Sequence, residues 1–95
     1  METDVKDRYL EVTFRKGKVL AAYFYLTRIP GEKSERTEKC GEGILIDYAK
    51  DGRPIGIEIT TPGRVLALLS ELNQVLAKQN VQPVEPIELS PLLAA

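Results

Sequence analysis

Large aliphatic residues recur at every second position on both sides of a central turn signal over positions 43–59, GILIDYAKDGRPIGIEI. Asp51-Gly52 suits a two-residue type I′ hairpin turn, which needs positive φ at both central positions. With that turn, Lys50 faces Arg53, Tyr48 faces Ile55, Ile46 faces Ile57 and Ile44 faces Ile59. These aliphatic rungs share one face, because successive strand side chains point to opposite sides. The other face carries Leu45, Asp47, Ala49, Pro54, Gly56 and Glu58. A slip of one residue would turn the isoleucines into water, so the register is strongly specified. Pro54 cannot donate to a second neighbour, so that end of its strand is expected at an edge or unpaired. Gly56 reads as relief for a crowded or twisted backbone, or as a point of close approach for a chain or ligand.

Upstream, residues 9–15 alternate with Leu10, Val12 and Phe14 on one face, the pattern of a half-buried strand. Lys16-Gly17 is a weaker turn signal, and it would pair Phe14 with Val19, Val12 with Ala21 and Leu10 with Tyr23. The opposite face of the second strand then holds Leu20, Ala22, Phe24 and Leu26. A strand apolar on both sides belongs in the middle of a sheet or under another chain. Residues 1–7 read as a frayed start. Residues 28–42 are rich in charge, with a turn at Pro30-Gly31; they read as a surface loop partly extended towards Gly43, or as a recognition loop.

After Ile59 the period changes from two to between three and four. Val65, Leu68, Leu69, Leu72, Val75 and Leu76 form one stripe, so a helix is expected over 62–79. Thr61 is placed to cap it, Pro62 to open it, and Asn80 to close it in a left-handed conformation. The stripe is expected to cover the isoleucine face, or to zip to a partner helix. In the tail, 81–95, the prolines at 83, 86 and 91 prohibit a continuous helix. An extended run carrying Val84, Ile87 and Leu89 is expected, then a turn capped by Ser90, packed along the domain or across a second subunit.

The resulting expectation is an α+β domain over 1–80, followed by the tail. Two hairpins, with strands at 8–15, 19–27, 43–50 and 53–60, form a four-stranded antiparallel meander packed by one helix.

Composition narrows the function. A chain of 95 residues makes one domain, and its net charge of −1 lacks the basic excess of a general nucleic-acid binder. There is no histidine, which removes the commonest general base and most transition-metal sites. Cys40 is the single cysteine; Lys39 would lower its thiol pKa, whereas Glu38 and Glu42 would raise it. With no long apolar run or signal peptide, a cytoplasmic protein away from membranes is expected. No cofactor is expected. Asp47 and Glu58, diagonal neighbours on the polar face, are the candidates for a hard cation or small ligand; their alternative is two solvated side chains. Asp51, Gly52 and Gly56 have structural roles. Tyr23, Phe24 and Tyr25 could stack bases, but their spacing fits a packed strand better.

The segment ILIDYAKDGRPIGIEI also resembles the signature of a family of small prokaryotic proteins catalogued as domain of unknown function 2283. The resemblance rests on Asp47, Tyr48, Asp51, Gly52, Gly56, Ile57, Glu58 and Ile59. It implies a small β-meander with a helix and no assigned catalysis. Two family aspartates upstream have no counterpart here: Arg15 or Lys16 stands near the first and Leu20 at the second. Some relatives are encoded beside small toxin-like proteins, so the resemblance also implies an antitoxin-type partner. The expected role is thus a non-enzymatic interaction module acting as a homodimer, with Phe24, Leu26, Leu69, Leu76 and Leu89 as interface candidates. The alternatives are an antitoxin-like protein neutralising a small ribonuclease, and a cation or small-ligand binder.

Overall fold

The computed structural model describes residues 8–27 and 29–93, with the backbone alone at Leu93. The expectation for 1–7 and the extreme end of the tail lie outside the described residues.

Strands β1 (Tyr9–Arg15), β2 (Lys18–Tyr25), β3 (Arg36–Lys39), β4 (Ile44–Tyr48) and β5 (Pro54–Ile59) form one antiparallel sheet in the order β1-β2-β5-β4-β3. This corrects the four-stranded meander in two respects. Part of the charged 28–42 segment is a strand, and β2 pairs with β5, the second arm of the hairpin. Both corrections have one cause. β3 occupies the outer edge of β4 through Thr37–Asp47 and its neighbours, leaving only the β5 side for β2. All four β3 side chains are exposed, so no apolar pattern announces the strand. The Pro30-Gly31 turn forms as expected, with the Glu32 N–H donating to the Ile29 carbonyl and Gly31 at φ +82°.

The strong turn signal and the weak one exchange roles. Lys16 and Gly17 both take positive φ, the type I′ geometry. The Asp51-Gly52 loop is instead one residue longer. The Gly52 N–H donates to Ala49 O and the Ala49 N–H to Arg53 O, so Lys50, Asp51 and Gly52 form a three-residue loop with only Gly52 left-handed. Tyr48 therefore faces Pro54 rather than Ile55. A bulge at Ile55 absorbs the extra residue, and the expected pairs Asp47–Gly56, Ile46–Ile57 and Ile44–Ile59 are restored. Burial drives the correction, since Ile44, Ile46, Ile57 and Ile59 all lie in the core. Pro54 sits beyond the β2 ladder, whose last bond runs from Leu26 N–H to Ile55 O.

A second bulge, at Leu20, overturns the pairing expected for the first hairpin. Val12 faces Ala22 rather than Ala21, and Leu10 faces Phe24 rather than Tyr23, while Phe14–Val19 stands. The bulge puts Leu10 and Val12 on the same side as Ala22, Phe24 and Leu26, joining both strands to one core.

A 3-10 turn (Pro62–Arg64) leads into helix α1 (Val65–Lys78), whose Val65, Leu68, Leu72 and Leu76 are buried against the isoleucine face. Thr61 makes no side-chain cap. Its methyl and hydroxyl groups instead pack on Gly43, where a β-carbon would overlap them. Asn80, at φ +61°, closes α1 as expected: Val81 N–H donates to Leu76 O and Asn80 N–H to Ala77 O.

The tail packs along its own domain. A 3-10 turn (Pro86–Leu89) and the short helix α2 (Ser90–Leu93) bring Leu89 and Leu92 into the core with Val84, while Ile87 is exposed. Asn73 of α1 brackets Val84, donating to its carbonyl at 3.1 Å and accepting its N–H at 2.8 Å. Arg8 ties the start of β1 to the tail through Gln82 O, Pro83 O and the Glu88 carboxylate.

Candidate functional site

Helix α1 and the tail cover one side of the sheet. The opposite side carries Tyr9 and Glu11 of β1, Tyr23 and Tyr25 of β2, Glu58 of β5, Leu45 and Asp47 of β4, and Thr37 of β3. Cross-strand pairing gathers them into a band: Tyr9 faces Tyr25, Glu11 faces Tyr23, Tyr23 faces Glu58, and Thr37 faces Asp47.

Three tyrosines form the middle of the band. Tyr9 and Tyr25 stack with centroids 4.4 Å apart, and Tyr23 meets Tyr25 edge-on at 4.7 Å. Their hydroxyls are anchored. Tyr25 donates to Glu11 Oε1 at 2.9 Å, and Tyr23 donates to Asp47 Oδ2 at 2.6 Å. Thr37 donates to the other oxygen, Oδ1, at 2.5 Å. The Tyr23 ring reaches Asp47 by lying across Gly56, where any β-carbon would overlap its hydroxyl and ring edge. Gly56 is thus a point of close approach, and the approaching group is the chain's own tyrosine.

Asp47 and Glu58 do lie on one face as diagonal neighbours, as the register requires. Both Asp47 oxygens accept hydroxyl protons, so this carboxylate is an anchored acceptor within a side-chain network. Among the described residues no three His, Cys, Asp or Glu side chains group as metal ligands would.

The expected interface residues lie elsewhere. Phe24, Leu26, Leu76 and Leu89 are buried in the chain's own core and offer no surface, and Leu69 is half-buried against it. Sequence reasoning missed the role of Tyr23, because the ring's target depends on which strand adjoins β2.

At one end of the sheet a groove passes between Arg8, Thr27, Arg53 and Gln82. Its cations brace the chain itself. Arg53 pairs with Asp51 and with Glu32, fastening the hairpin loop to the crossover that precedes β3. Asp51 is held below the usual aspartate range, first by the Arg53 N–H and then by its guanidinium. Arg8 pairs with Glu88, and its guanidinium lies 5.4 Å from the Phe24 ring centre. Cys40 has its thiol pKa raised by burial and then by Glu71 of α1, a neighbour that the local sequence does not show.

Residues 21–61 match the family described as protein of unknown function (DUF2283). The match runs from β2 through β5, extending both ways beyond the hairpin that carries the signature. Within the DUF2283 segment lie Tyr23, Tyr25, Thr37, Asp47 and Gly56, whereas Tyr9 and Glu11 precede it. No curated protein and no solved structure matches the chain.

Proposed function

We propose that the chain is a non-enzymatic interaction module whose partner is a second copy of itself. The observation that carries this reading is the uneven covering of the sheet. One face is sealed by α1 and the tail. The most exposed large apolar side chains of the sheet gather in the β1–β2 hairpin: Tyr9, on the uncovered face, is 45 % exposed, and near the turn, beyond the reach of α1 and the tail, Phe14 is 59 % and Leu20 50 % exposed. Aromatic rings held in place by stacking and hydrogen bonds lose little freedom on binding, which favours them as contact residues.

The reading assigns no catalysis, because the tyrosine and aspartate groups of the bare face are committed to one another. An antitoxin-like role would lay the tail or helix over a partner, yet Val84, Leu89, Leu92 and the α1 stripe are spent on the chain's own core. A cation at Asp47 would have to displace two hydroxyl donors. Among the described residues no helix is long and apolar enough to cross a membrane.

Size-exclusion chromatography with light scattering tests the reading. A mass of twice 10.6 kDa that falls on dilution is expected. A single-chain mass at every concentration would overturn it.

A further inference from the structure

We propose that two copies join through the outer edges of their β1 strands, which no other strand pairs among the described residues, about a twofold axis at Val12, to make one continuous ten-stranded antiparallel sheet. The proposal rests on the self-association reading and names its surface. The two sheet edges differ. β3 is four residues long and carries Arg36, Glu38 and Lys39, the charged form of a protected edge. β1 is seven residues long, has no proline, and carries the exposed Phe14 one residue before its end at Arg15.

Backbone geometry selects the register. Arg15 and Lys18 flank the type I′ turn as a hydrogen-bonded pair, so Arg15, Thr13, Glu11 and Tyr9 direct their backbone groups towards β2. Leu10, Val12 and Phe14 direct theirs to the open edge. A twofold axis at Val12 sets Val12 against its own copy and Leu10 against Phe14 of the other chain at both ends, with two backbone bonds at each of these rungs. Moving the axis to residue 11 or 13 loses a rung and parts Phe14 from Leu10.

The side chains agree with that register. Leu10 and Phe14 lie on the same side of β1, so the pairing covers a ring left bare in the single chain. On the other side Tyr9 faces Arg15 of the second copy, and Glu11 sits diagonal to that Arg15, which sets opposite charges within reach twice over.

Charge reversal and edge blocking test the register. Glu11→Arg and Arg15→Glu are each expected to weaken dimerisation roughly tenfold, because each places like charges together at both ends, and E11R/R15E is expected to restore it. Val12→Pro removes an N–H directed to the open edge, so a folded monomer by circular dichroism and light scattering is expected. If Val12→Pro does not fold, the charge series decides. A wild-type dimer that survives Val12→Pro, or charge variants that fail to compensate, would overturn this interface while leaving self-association intact. A wild-type monomer would overturn both.

Discussion

The ring of Tyr23 lies across the bare backbone of Gly56, and this contact joins three strands. Tyr23 stands on β2, Gly56 on β5, and the hydroxyl ends on Asp47 of β4. The glycine makes the hydrogen bond possible, because any side chain there would lift the ring off the sheet.

Gly56→Ala is therefore expected to destabilise by about 1–3 kcal/mol through overpacking. The cost should shrink markedly in a Tyr23→Ala background, where the obstructing ring is gone. Urea unfolding of the two singles and the double measures this coupling. Equal costs in both backgrounds would show that the overlap is relieved in some other way.

The two turns should respond oppositely to substitution. Lys16 holds a left-handed conformation that its side chain disfavours, so Lys16→Asn is expected to raise stability by roughly 0.5–1 kcal/mol. Gly52, at φ +95° with open space around its α-carbon, should lose about 1 kcal/mol on Gly52→Ala from backbone strain alone. Thermal unfolding of both variants provides the comparison.

Asn73 holds the tail through both backbone groups of Val84. Asn73→Ala is expected to cost about 2–3 kcal/mol, since it strands a part-buried donor and acceptor together. Removing everything after Asn80 takes Val84, Leu89 and Leu92 out of the core and is expected to abolish cooperative unfolding. A truncated chain that melts as sharply as the full one would refute the structural role of the tail.

The loop at 50–52 should loosen in acid. Asp51 is depressed in the folded chain, so its contribution is whole above the ordinary aspartate value, about 3.9, and is lost as pH falls through the lower folded value. Carbon-13 NMR titration of the Asp51 carboxyl is expected to give a midpoint below the ordinary range. Arg53→Gln should return it only part of the way, because the backbone N–H of residue 53 remains. A midpoint unchanged by the substitution would exclude the guanidinium as a cause.

Local rules suffice for much of this fold. The alternation in β4 and β5 specified the Ile46–Ile57 and Ile44–Ile59 pairs, and the leucine stripe specified α1 and its buried face. Asn80 announced its left-handed close. β3 was illegible because all four RTEK side chains are exposed, and a strand that buries no apolar side chain leaves no hydrophobic period. The bulges were hidden too: a two-residue turn is the simplest solution for Asp51-Gly52, and only the packed core makes a longer loop with a compensating bulge preferable. The polar face was legible as a set of residues, but its network was not.

The sequence alone determined which faces of the hairpin and helix are apolar, because side-chain period is a local property of strand and helix. Tertiary structure decided the strand order, and with it that Tyr23 spans Gly56 to reach Asp47, that Glu71 stands beside Cys40, and that the tail completes the core. Those contacts join positions far apart in the chain, and the competition for sheet edges and buried volume that selects among them exists only once the elements are packed together.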